Sequence, residues 1–94
     1  MMKTVYLSGP MTGIKDFNAP AFEKAYMDLQ AHDFFPVAPV PFVDGKSYEE
    51  YLRDDLKLLL DCDGIYMLDG WQESKGAKIE HMVALACGID EVTL

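Results

Sequence analysis

The sequence predicts a single small α/β domain of Rossmann-like (flavodoxin-like) type, built on a parallel sheet of about four to five strands with helices on both faces. Two patterns predict it. Short β-branched and aromatic runs alternate with stretches of helical period, in the order β-α-β-α-β-α-β. Gly and Pro then break the chain where strands should end, as after Ser8 and Val37. With 94 residues, half of them apolar, there is material for one core, so residues 1–94 are read as one domain.

Each element follows from local chemistry. KTVYLS, residues 3–8, reads as a buried parallel strand, and GPMTGIKDFNAP after it as a loop punctuated by Gly9, Pro10, Gly13 and Pro20. A helix is expected over roughly 19–32. Pro20 is tolerated in its first turn, and Phe22, Ala25, Tyr26 and Leu29 recur at helical spacing. FFPVAPVPFVDG gives a second short strand and a proline-rich loop. Ser47 with Glu50 forms a capping box opening a helix to about Leu60. GIYML, residues 64–68, is the third strand and DGWQESKG a loop. KIEHMVALACG is a helix stopped by Gly88, and DEVTL a short closing strand.

Charge and cysteine usage narrow the function. The net charge is −8 and no run of Lys or Arg occurs. A partner made of polymeric nucleic acid, which needs a basic stripe against its phosphates, is therefore not expected. A small anion remains possible, because the N–H groups at one helix start hold it locally. Cys62 and Cys87 are the only cysteines; both are read as buried thiols suited to a reducing cytosol. The opening MMKTVYLSGPMTG is too short in apolar residues for a signal peptide or a membrane span, so a cytoplasmic location and no membrane partner are expected.

Ligands in such folds sit outside the carboxyl ends of the strands, where the unusual residues gather. Asp55 falls near the middle of the stripe Tyr48, Tyr51, Leu52, Leu56 and Leu59, where a carboxylate needs a reason. Capping a neighbouring loop is the structural alternative. Glu80 sits in a helix apolar almost all round, beside the small residues Gly76 and Ala77; the alternative there is a favourable interaction with the helix dipole. Ser74 is the expected N-cap of that helix, and Gly76 allows close approach of a phosphate or carboxylate. Tyr6 precedes the loop Gly9, Pro10, Met11, Thr12 and Gly13, and its hydroxyl can orient a carboxylate. Trp71 is read as a side chain that stacks on a base. Two acids and a phenol on one sheet edge suit glycosidic chemistry. No metal is expected, since His81, Cys87 and Asp63 lack ligand spacing. No cofactor is expected either, since GxxxxGKS and GxGxxG are both absent.

The segments VYLSGPMTG, DLKLLLDCDGIYML and GWQESKGAKIEHMVALACG together resemble the nucleoside 2-deoxyribosyltransferase-like superfamily, above all its short branch carried by bacteriophages and prophages. The resemblance implies that Tyr6 positions the catalytic glutamate, that Asp55 assists at base and sugar, and that Glu80 attacks C1′ to give a deoxyribosyl-enzyme. Six residues before that glutamate, transferases on free nucleosides usually have an aspartate, and the related 2′-deoxynucleoside 5′-monophosphate N-hydrolases a serine. This chain has Ser74. It departs from the hydrolases in the first loop, which reads PMTGIK where they have an arginine. The family also completes its pocket with a C-terminal residue of a neighbouring subunit; with Leu94 as the last residue here, the resemblance leads to the expectation that another element supplies that contribution, or that the site binds without turnover.

The expected activity is cleavage of the N-glycosidic bond of a 2′-deoxynucleoside 5′-monophosphate through a Glu80 intermediate. The alternatives are a nucleoside deoxyribosyltransferase, a non-catalytic nucleotide-binding module, and an interaction protein. The expected partners are a small-molecule nucleotide or nucleoside and, from the apolar last helix, a second copy of the chain in a homodimer or higher homo-oligomer.

Overall fold

The computed structural model describes residues 2–39 and 45–94. The proline-rich loop expected after the second strand falls largely on residues 40–44, outside the described residues. Among the described residues, four parallel strands, β1 (Thr4–Ser8), β2 (Phe35–Val37), β3 (Gly64–Met67) and β4 (Asp90–Glu91), lie in the order β2-β1-β3-β4. Helices α1 (Ala19–Ala31), α2 (Tyr48–Leu60) and α3 (Lys75–Ala86) connect them. The Rossmann-like fold read from the sequence is the fold observed. The third strand stops at Met67 and the closing strand is only two residues long.

The side-chain period of two on β1 divides the core. Val5 and Leu7 pack with Phe22, Ala25 and Leu29 of α1 on one face of the sheet. Tyr6 faces the other way, with Leu59 of α2, Ala84 of α3 and Ile65 of β3. One helix thus covers one face and two cover the other.

The helix ends are set by identifiable contacts. Ser47 accepts a hydrogen bond from the Glu50 N–H while the Glu50 carboxylate accepts from the Ser47 N–H, so the expected capping box is present. α3 ends in a Schellman turn: Gly88 stands at φ +75°, the Ile89 N–H donates to the Ala84 carbonyl at 2.8 Å, and the Gly88 N–H to that of Leu85. α1 ends the same way, but its left-handed position is Asp33, at φ +63°.

The topology positions the site. From β1 the chain leaves through α1 to β2 on one side, then returns through α2 to β3 on the other. The strand order therefore reverses between β1 and β3, and a crevice opens at their carboxyl ends. Among the described residues no helix is long and apolar enough to cross a membrane.

Candidate functional site

Tyr6 and Ser8 are two residues apart on β1, so both side chains point toward α3. There they meet Glu80. The Tyr6 hydroxyl donates to Glu80 Oε2 and the Ser8 hydroxyl to Oε1, each at 2.6 Å. Tyr6 and Ser8 are fully buried and Glu80 is 6% exposed. An acid in such a place must be hydrogen-bonded or neutral, and among the described residues no buried side-chain N or O atom lacks a partner.

Burial is the main influence on Glu80, and it pushes the carboxyl from the ordinary 4.5 up to about 7. The hydrogen bonds from Ser8 and Tyr6 act in the opposite direction, and the Asp55 carboxylate adds to the rise. The Tyr6 phenol is pushed far above its ordinary value, first by burial and then by Glu80 and Asp55. Tyr6 is therefore a fixed donor across the ordinary pH range. Glu80 changes charge near neutrality.

Glu80 opens onto a cavity of about 80 Å³ whose far wall is α2. Tyr48, Tyr51, Leu52 and Asp55, spaced as one helical face, line that wall. The stripe read from the sequence thus divides along its length. Its first two turns face the cavity, and Leu56 and Leu59 continue into the core. Asp55 stands where the stripe passes from one to the other, half-buried rather than in apolar packing.

The loop after β1 supplies the roof. Gly9, Met11 and Thr12 line the cavity. A Cβ on Gly9 would lie 2.6 Å from Leu68 Cβ, so only glycine lets the loop start so close to the end of β3. The Asn18 side-chain amide donates to the Pro10 carbonyl at 3.0 Å and ties the loop to the start of α1.

Ser74 caps α3 as expected, its hydroxyl oxygen accepting from the Ala77 N–H. Ser74 and Gly76 line the inner cavity and a second one of about 390 Å³, which shares the walls Met11, Thr12 and Tyr48. Pro10, Glu73 and Lys75 complete this outer chamber, and the Lys75 ammonium stands 5.5 Å from the centre of the Tyr48 ring.

Of the residues singled out in the sequence, Tyr6, Asp55, Ser74, Gly76, Glu80, Gly9, Pro10, Met11 and Thr12 meet at this crevice, Tyr6 through its bond to Glu80. Gly13 and Trp71 lie outside both linings. After Gly70 a short 3-10 turn, Trp71–Glu73, folds the chain back along α3, and the Trp71 ring packs on His81 at 4.4 Å between centroids instead of covering the cavity. His81 also pairs with Glu91 at 2.7 Å. Cys87, expected to be buried, is exposed because the helix ends there in its turn away from the core; Cys62 is buried, and its thiol is pushed up to about 11, mainly by burial. Ser8, through its bond to Glu80, and Tyr48, in the cavity wall, join the site beyond the residues the sequence points to. The signal for Ser8 was its position two residues beyond Tyr6 on the same strand.

Among the described residues, no group of three His, Cys, Asp or Glu side chains is placed to hold a metal ion. What the site offers is a buried, oriented carboxyl that ionises near neutrality, a second carboxyl across a small cavity, and a helix start with a lysine at its mouth. No curated protein matches the chain. The stretch that builds this arrangement, from the start of β1 through α2 and α3, lies within residues 3–93, which match the family model described as Domain of unknown function (DUF4406), and the chain belongs to that family.

Proposed function

We propose that the protein is an N-glycosidase that cleaves the base from a 2′-deoxynucleoside 5′-monophosphate, with Glu80 as nucleophile. The observation that carries the reading is the Glu80 carboxyl, held at both oxygens by Tyr6 and Ser8 and open to a cavity walled by Asp55. The resemblance of three segments to the nucleoside 2-deoxyribosyltransferase-like superfamily supports it.

In the first step a Glu80 oxygen forms a bond to C1′ as the C1′–N bond breaks. The electron pair of the broken bond leaves with the base, which takes a proton from Asp55. In the second step water attacks C1′, the C1′–O bond to Glu80 breaks, and its pair returns to the carboxylate. The proton lost by the water goes to Asp55. The balance is nucleotide plus water to free base plus deoxyribose 5-phosphate. Ser74 and Lys75, at the start of α3, are suited to the 5′-phosphate.

Incubation with the common deoxynucleoside 5′-monophosphates, with and without an added free base, tests the reading by chromatography of the released base. Release that disappears in Glu80→Ala is the expected result, and a new nucleotide formed with the added base would identify a transferase. Tight nucleotide binding without any release would replace the enzyme by a binding module.

A further inference from the structure

Ser8 has no exposed surface, yet it carries a hydroxyl where alanine would fill the strand position. Its side chain makes one contact that matters, the 2.6 Å bond to Glu80 Oε1. Tyr6 holds Oε2 at the same distance. A carboxyl group held at only one oxygen can still turn about its last side-chain bond; held at both, its plane is fixed. Neither hydroxyl lines the cavity, whereas Glu80 does. Among the described residues, the titratable groups that face Glu80 are Tyr6 from β1 and Asp55 and Tyr48 from α2, all of them neutral or anionic.

We propose that Ser8 is a positioning residue for Glu80, pinning the oxygen that Tyr6 leaves so that the carboxylate keeps one orientation toward the cavity through both halves of the reaction. The proposal rests on Glu80 being the nucleophile. When one oxygen gives its pair to C1′, the other becomes the ester carbonyl and still accepts its hydrogen bond. When that C1′–O bond breaks, the pair returns to an oxygen with a donor already in place. A donor on each oxygen therefore serves attack and release alike, whichever oxygen reacts.

The test uses the full chain labelled with carbon-13 at the glutamate carboxyl, and follows Glu80 by NMR titration in the wild type, Ser8→Ala and Ser8→Cys. Loss of a donor to the charged form raises the midpoint, by about one pH unit in Ser8→Ala and less in Ser8→Cys, whose thiol is a weaker donor. In base release, the acid limb of kcat/KM moves up by the same amount and kcat falls about tenfold, with KM unchanged. A Glu80 midpoint that stays in place in folded Ser8→Ala overturns the proposal. If Ser8→Ala does not fold, an unmoved midpoint in Ser8→Cys does so instead. Absence of base release in the wild type defeats the glycosidase reading alone, because the titration still reads what Ser8 does to Glu80.

Discussion

The Tyr6 hydroxyl donates to Glu80 Oε2 at 2.6 Å, joining residues 74 positions apart in the chain. Burial works against ionisation of Glu80, and this bond favours it. On the proposed mechanism only the ionised Glu80 carboxylate attacks C1′, so base release should rise with pH through about 7. In Tyr6→Phe the acid limb of kcat/KM should move to higher pH, and activity at neutral pH should fall about 10- to 100-fold. Stability at pH 8 should drop by roughly 1–3 kcal/mol, the cost of removing one partner of a buried charged group. The drop should be smaller at pH 5, where Glu80 is protonated. Denaturant melts at the two pH values check the second part, and equal losses at both would contradict it.

Glu80 itself should destabilise the fold above neutrality. Its folded value, about 7, lies above the ordinary 4.5, so between those values the folded chain binds the proton that the unfolded chain has released. That stabilisation is complete below pH 4.5 and is lost as pH rises through about 7. At roughly 1.4 kcal/mol per pH unit the difference is of order 3 kcal/mol. Glu80→Gln removes the titration and keeps an oxygen and an amide for the two hydroxyls. It should be more stable than the wild type at pH 8 by roughly 2–3 kcal/mol and equal to it near pH 4. A parallel offset at both pH values would show that the charge on Glu80 carries no such cost.

The fold was legible because each element announces itself locally: the capping box Ser47 and Glu50, Gly88 after the last helix, and the apolar run of β1. Glu80 and Asp55 were legible because carboxylates on apolar stripes need a reason. Ser8 was not, because a serine at the last position of a strand is unremarkable by itself, and its partner lies 72 residues away. Trp71 stands apart from the cavity lining for the converse reason. A tryptophan in a loop at the right sheet edge suggests stacking on a ligand, but the 3-10 turn sets its ring against His81. Tyr48 opens its helix at the capping box, where sequence shows the cap and not the cavity beside it.

The turn that ends α1 contains an avoidable cost. Asp33 adopts φ +63° in the left-handed position that glycine occupies after α3. An L side chain costs about 1 kcal/mol there, and an acid beside the carbonyl end of a helix opposes its dipole. Asp33→Gly should raise stability by about 0.5–1 kcal/mol and leave base release unchanged, since the residue is exposed and lines neither chamber. A thermal melt with an activity assay decides it, and destabilisation would mean that the Asp33 side chain contributes more than its backbone costs.

Gly76 trades helix stability for space. A Cβ there would lie 3.3 Å from the Tyr48 hydroxyl, the movable end of a side chain, so the fold can accept alanine. Helix propensity favours Gly76→Ala by up to about 1 kcal/mol. The added methyl enters the wall shared by both chambers, and nucleotide affinity should fall about tenfold. Melting temperature and affinity should thus move in opposite senses. If affinity is unchanged, the ligand does not pass Gly76.

Ser74 offers the sharpest separation of nucleotide from nucleoside. Its hydroxyl caps α3 through the Ala77 N–H, and the same residue lines the outer chamber beside Lys75. Aspartate is an equally good N-cap and interacts favourably with the helix start, so Ser74→Asp should melt at or slightly above the wild-type temperature. The added carboxylate would face a 5′-phosphate. At about 4–5 Å and an effective dielectric near 20, like charges cost several kcal/mol before screening, of which about 1–3 kcal/mol should survive. For the 5′-monophosphate, kcat/KM should fall about 10- to 100-fold, while the free deoxynucleoside should be cleaved as well as before or better. Because the helix cap is preserved, a fall for both substrates would place Ser74 in the chemistry rather than in phosphate recognition. No change for either would move the phosphate away from the start of α3.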